Sequence, residues 1–358
     1  MSKENTIILI LGMHRSGTSA LTGVLEQLGV HLGCSLLSGI IGVNDKGFFE
    51  HESIVDQHNK ILNAMGRNWM DLRPMPDNWW QNGNINVFSG NIIDILLKEF
   101  SGEKLFGIKD PRLCRLMPLW LDVLESLQYS PKVILCFRHP FVVANSLQIR
   151  DQLDFEVGIL LWLSHVLESE KYSRNLPRSV LLYDDLMTDW ELVCNRVSEE
   201  IDIKCLHDVS GSKEAINQFL DRKLQHADFK MPRETSSAAM QALELYENIK
   251  CNNMIDEKLF DLTSELFNDV LSALNPYLEL LNTGQGYREV ASRLKRSMYA
   301  EKKNAEEQIS YRDALISDLN EQVGAEKKNA EEQISYRDAL ISDLNEQVGT
   351  EKKNEQDL

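Results

Sequence analysis

The chain has 358 residues and a mass of 41.0 kDa, room for about two domains and a full core. Its composition, 43% hydrophobic and 26% charged, is that of a soluble globular protein and not of a disordered or membrane-embedded chain. Lys and Arg number 38 against 55 Asp and Glu, so the net charge of −17 excludes non-specific nucleic-acid binding and obliges any anionic ligand to sit in a locally basic pocket.

Taken in chain order, Thr6–Leu11 is a short buried strand, followed by a glycine turn and a helix over 19–28. Further strands are expected over 105–108, 133–137 and 180–183, with helices over 92–100, 116–127, 140–150, 156–172 and 190–201. Residues 39–90 read as loop. Strands separated by helices mean βαβ units, hence an α/β fold of the P-loop type: a parallel sheet flanked by helices. In such sheets ligands bind beyond the carboxyl ends of the strands. The globular part is expected over 1–285, with the motifs in a core over 5–230 and a helical remainder over 231–285.

From 286 to 358 a long helix or coiled coil is expected. Residues 300–324 recur unchanged at 325–349, and a third copy begins at Thr350. Ala305, Ile309, Ile316, Leu319 and Val323 form one helical stripe, and 25 residues over seven turns is about 3.57 per turn, a shallow left-handed supercoil at most. Each copy carries three basic and six acidic residues, a charged spacer without chemistry of its own. Homo-oligomerisation through this helix is expected, with Arg312 and Glu326 opposing it in the stripe.

No signal peptide or membrane span is expected. The amino-terminal apolar run is short and lacks the right flanks, and the run over 157–167 is interrupted by Ser164 and His165. The cysteines (Cys34, Cys114, Cys136, Cys194, Cys205, Cys251) have no CxxC spacing, which predicts free thiols in a reducing compartment, the cytoplasm.

The chemistry concentrates in two stretches. Gly12-Met-His-Arg-Ser-Gly-Thr-Ser19 follows the first strand and opens the first helix, with the glycine spacing of a phosphate-binding loop. Backbone N–H groups and the helix dipole converge there on an anion. A triphosphate loop carries lysine after its second glycine. Here that position is Thr18, and the cation is Arg15. The second stretch is Phe137-Arg-His-Pro-Phe-Val-Val-Ala-Asn-Ser146, where Arg138 leaves a strand and Ser146 follows eight positions later on a helix. A planar guanidinium and a hydroxyl suit a second phosphate, and two anion sites at one sheet edge imply a ligand with two separated phosphate-like groups.

These stretches resemble the sulfotransferase superfamily, especially bacterial members that use 3′-phosphoadenosine 5′-phosphosulfate. Arg15-Ser16-Gly17-Thr18-Ser19 matches the family's 5′-phosphosulfate loop, and Arg138 with Ser146 matches its 3′-phosphate pair. Asn44–His51, Lys109–Arg112 and Tyr183-Asp-Asp-Leu186 are supporting matches over about residues 5–230. The resemblance implies transfer of a sulfuryl group to a hydroxyl acceptor without a metal. It implies donor contacts from His14, Arg15, Ser16, Gly17, Thr18, Ser19, Arg138 and Ser146, and from the downstream basic pair Arg222 and Lys223. Arg15 is expected to stabilise the leaving oxygen. Glu50, or next His51, is expected to take the acceptor proton, with an ion pair to a nearby cation as Glu50's other role. A P-loop kinase using Asp184 and Asp185 for magnesium, and a non-catalytic coiled-coil scaffold, are the alternatives. Lys109, Asp110 and Arg112 fit either a pocket or a salt-bridged strand end. Trp69, Trp79 and Trp80 fit either acceptor stacking or packing under a loop, and Trp162 is read as core.

Overall fold

The structure is a computed structural model that describes residues 5–39, 46–203, 211–220 and 235–281, and in the tail 308–329, 331, 333–335, 337 and 338. It divides into two compact units, 1–298 and 299–358.

The first unit is built on four parallel strands in the order β2-β1-β3-β4: β1 (Thr6–Leu11), β2 (Leu105–Lys109), β3 (Ser130–Phe137) and β4 (Arg178–Leu182). The central strand β1 is aliphatic after its first residue because both of its faces are covered. Ile7, Leu9 and Leu11 enter one core and Ile8 and Ile10 the other, the period-two alternation of a strand between two helical layers. The larger core receives α2 (Glu52–Ala64), α3 (Gly83–Phe100), α4 (Leu113–Ser126), α5 (Pro140–Asp151), α6 (Phe155–Ser173), α10 (Ser237–Asn252) and α11 (Glu257–Leu281). The smaller core receives α1 (Thr18–Gln27), α7 (Tyr183–Thr188), α8 (Trp190–Glu200) and α9 (Lys213–Phe219).

All four expected strands are present, with shifted ends. β3 starts at Ser130, and Tyr183 opens α7 where a strand end was expected. The largest difference lies in 39–90. Helix α2 stands there, and α3 begins at Gly83, where the Asn82 side chain accepts the Asn84 N–H at 3.0 Å. The buried face of α2 includes Gln57 and His58 besides Ile54, Val55, Ile61 and Leu62, and those two polar residues interrupt the apolar stripe that a sequence reading follows. Residues 40–45, 204–210 and 221–234, and with them Arg222 and Lys223, lie outside the described residues.

Burial pushes the thiols of Cys114, Cys136 and Cys194 up to about 12, while Cys34 and Cys251 are exposed. Among the described residues no helix is long and apolar enough to cross a membrane. In the second unit 308–329 is one helix, and Ile309, Ile316, Leu319 and Val323 are exposed along it.

Candidate active site

The parallel register brings the carboxyl ends of all four strands to one edge, and each leads to a candidate site residue there. β1 runs into the glycine loop, β2 ends on Lys109, and Arg138 and Tyr183 follow directly on β3 and β4.

The loop is shaped by close approach. A Cβ on Gly12 would lie 2.7 Å from the Cys136 carbonyl oxygen, and one on Gly17 would lie 2.1 Å from the ring of Tyr183. Gly17 also has φ +86°, which only glycine adopts freely. Arg15 has φ +69°, an uncommon left-handed conformation for a residue with a side chain, which costs on the order of 1–3 kcal/mol and is held by its surroundings. The Gly12 N–H donates to the Cys114 sulfur at 3.2 Å, and the Cys136 thiol donates to the Ser16 carbonyl at 3.3 Å. Helix α1 starts at Thr18 with no side-chain cap. The hydroxyl of Ser16 is buried without a hydrogen-bond partner.

The two predicted anion sites are in direct contact. Arg15 Nε donates to Ser146 Oγ at 2.8 Å, and Arg138 Nη1 donates to the Arg15 carbonyl at 3.2 Å. The Arg138 guanidinium lies 4.5 Å from the centre of the Tyr183 ring, the same ring that packs on Gly17. Trp162, fully buried as expected, also fixes this corner by donating its indole N–H to the Arg138 carbonyl at 3.2 Å. Burial first, and then the neighbouring cations Arg150 and Arg138, ease Arg15 below the ordinary arginine value.

On the other flank, the Lys109 ammonium, 4% exposed, donates to Ser19 Oγ at 3.1 Å, to the Phe48 carbonyl at 3.0 Å and to Glu50 Oε1 at 2.6 Å. A lysine from the neighbouring strand thus reaches the head of α1. Glu50 forms an ion pair with Lys109. Burial raises its carboxyl above the usual range, and Lys109 opposes that shift. His51 is not brought to the loop. Its ring packs near Phe100 and beside Gly33, and Nε2 is 3.8 Å from Glu99. Burial lowers its pKa.

Asp110, fully buried, accepts from Arg112 Nη1 at 2.8 Å and from the Arg112 backbone at 3.0 Å, and it meets His58 Nδ1 at 2.7 Å. His58 Nε2 in turn accepts the Trp120 indole N–H at 2.8 Å. Lys109–Arg112 is therefore a bridged strand end. Trp69 meets His14, ring centres 4.2 Å apart, while Trp79 is core. Sequence reasoning passes over two residues here, His165, an interruption in an apolar run, and Arg150, a helix terminus, and it reads Tyr183 only as a strand end and part of a supporting motif. Their neighbours are distant in sequence, so no local pattern marks them.

No protein-family model matches the sequence, and no curated protein matches it. Among solved structures the chain is similar to the sulfotransferase domain from the Synechococcus PCC 7002 olefin synthase, with 20% identity over 69% of this chain and 97% of that one and a TM-score of 0.40. It is similar to the sulfotransferase domain from the curacin biosynthetic pathway, with 17% identity over 69% and 99% and a TM-score of 0.39. It is also similar to sulfotransferase STF9 from Mycobacterium avium, with 15% identity over 75% and 77% and a TM-score of 0.37. None of these likenesses assigns a substrate or an activity to this chain.

Proposed function

We propose that this chain is a sulfotransferase that moves a sulfuryl group from 3′-phosphoadenosine 5′-phosphosulfate to a hydroxyl acceptor. The observation that carries it is the junction of the two anion sites, Arg15 to Ser146 at 2.8 Å and Arg138 to Arg15 at 3.2 Å, because one nucleotide with two separated anionic ends can then touch both. The residues fit such a donor. Ser16 offers a buried hydroxyl with no partner, and Gly17 leaves no room for a side chain beside Tyr183.

When bound, the donor supplies a sulfuryl group on a phosphate leaving group. The loop amides and Ser16 hold its 5′ end, and Arg138 and Ser146 hold the 3′-phosphate. On this reading Arg15 would stabilise charge developing on the bridging oxygen. Lys109, fastened by Glu50 and Phe48, fixes Ser19 at the head of α1. A transferring sulfuryl group carries less negative charge than a phosphoryl group, so this reading needs no metal, and transfer should persist in EDTA, where a kinase would stop. Arg222 and Lys223 belong to the reading as a basic stretch over the nucleotide, a reducing compartment suits the free thiols, and the exposed stripe of the tail suits a second copy of the chain.

Calorimetry with 3′-phosphoadenosine 5′-phosphate tests the reading. Arg138→Ala should weaken binding by about 1.5–3 kcal/mol, on the order of 10- to 150-fold. Equal affinity in wild type and variant would remove the second anion site and the reading with it.

A further inference from the structure

The segment 46–50 lies outside the loop and is fastened to α1, β2 and α9. Its Phe48 carbonyl accepts from Ser19 Oγ at 3.2 Å and from Lys109 Nζ at 3.0 Å, and Glu50 Oε1 accepts from Lys109 at 2.6 Å. One turn along α1 from Ser19, the Phe49 ring approaches Gly23 and stands edge-on to Phe219, ring centres 5.7 Å apart. A Cβ on Gly23 would lie 2.2 Å from the Phe219 ring and 3.0 Å from the Phe49 ring, so both use the space that the glycine leaves. Lys46 Nζ donates to the Gln218 carbonyl at 3.3 Å and to the Phe219 carbonyl, and it lies 5.2 Å from the Phe219 ring centre. Those carbonyls belong to the last turn of α9, where a helix has no partners of its own to offer. α9 is tied to α1 as well, since Ser212 Oγ donates to the Gln27 carbonyl at 2.7 Å.

We propose that Lys46 is a positioning residue for the anion loop, acting through Phe48 on the Ser19 hydroxyl at the head of α1. The proposal rests on the sulfotransferase reading, in which Ser19 belongs to the donor loop.

The backbone of the segment explains why a remote lysine matters. Gly47 has φ +104° and Phe49 φ +55°, and for a bulky residue the second is an unfavourable conformation that its surroundings must hold. The left-handed turn at Phe49 lets the Phe48 carbonyl and the Glu50 carboxylate on either side of it reach one ammonium. The two ends are held unequally. The Glu50 carbonyl accepts the Leu37 N–H at 2.8 Å, whereas the Phe48 N–H reaches the Leu37 carbonyl only at 3.5 Å. Among the described residues, the upstream end therefore depends on Lys46 and on the contact of Phe49 with Phe219. Without the hold of Lys46 on α9, the turn at Phe49 relaxes and the Phe48 carbonyl draws back from Ser19. The serine hydroxyl then loses an acceptor that orients it.

Calorimetry of the full chain with 3′-phosphoadenosine 5′-phosphate tests the role by double-mutant cycles. Lys46→Met keeps the stem and removes the charge, and it should weaken binding on the order of tenfold. Lys46→Arg should restore the affinity to within about threefold of wild type. In a Ser19→Ala background Lys46→Met should cost about twofold at most, because the hydroxyl it orients is gone. With Arg138→Ala, at the other end of the nucleotide, the losses should multiply. Lys46 is exposed, so the urea midpoints of its variants should match wild type. Undiminished affinity in Lys46→Met, a loss that multiplies with that of Ser19→Ala, or a lowered urea midpoint overturns the positioning role and leaves the sulfotransferase reading in place. Failure of wild type to bind the bisphosphate overturns that reading and the proposal with it.

Discussion

Gly17 and Tyr183 share a space with room for one side chain, and Arg138 lies 4.5 Å from the centre of that ring. Gly17→Ala therefore meets both a steric and a conformational barrier, since its Cβ would fall 2.1 Å from the ring at φ +86°. It should destabilise the protein by about 1–3 kcal/mol in urea titrations and weaken bisphosphate binding at least tenfold by displacing Arg138. Lys109 and Glu50 make a second residue-scale test. Both are buried, so Lys109→Met should cost about 3–5 kcal/mol, while Lys109→Met with Glu50→Gln should cost clearly less than the sum of the single changes. Additive costs would mean that the pair is not coupled. Arg15, Arg138 and Ser146 were legible in the sequence because each belongs to a short motif with fixed spacing. Lys109's hold on Ser19 and His165's approach to His14 were not, since their partners lie 90 and more than a hundred residues away.

Among the elements, α5 and α6 carry much of the site. Arg138 immediately precedes α5, which holds Ser146 and Arg150, and α6 holds Trp162 and His165. They pack tightly at Gly158, where a Cβ would lie 2.9 Å from the Ala144 Cα. Gly158→Val should force the helices apart at a cost of about 1–3 kcal/mol and lengthen the Arg15–Ser146 contact, seen as weaker bisphosphate binding. Unchanged affinity and stability would show that the crossing has slack. The strands and these two helices were readable because their apolar runs are long enough to outlast interruptions such as Ser164 and His165 in α6. Helix α2 was not, because Gln57 and His58 occupy its buried face, and the reason they can is Asn91 at 2.9 Å from Gln57 and Asp110 at 2.7 Å from His58.

For the whole first unit, the buried imidazoles make stability fall in acid. His165 titrates at about 3 when folded and near 6.5 when unfolded, so between those values the unfolded chain binds more protons. Its contribution is complete above about pH 6.5 and is lost as the pH falls towards 3, at up to about 1.4 kcal/mol per pH unit. His14 acts in the same sense. Glu50, raised by burial, acts in the opposite sense, its contribution lost as the pH rises through its folded value. Urea midpoints at pH 7, 5.5 and 4.5 should drop steeply in wild type and less steeply in His165→Asn; parallel slopes would contradict the burial of that ring.

By itself the sequence determined the alternation of strands and helices, the glycine loop, the Arg138 and Ser146 pair and the repeated stripe of the tail. Each depends on residues near one another along the chain, where periodicity and turn chemistry act. Tertiary structure alone decided that Lys109 reaches Ser19 and claims Glu50, and that two histidines from β1's loop and α6 stand edge-on. Such encounters depend on strand order and helix crossing, which bring distant residues together, and no local pattern encodes them.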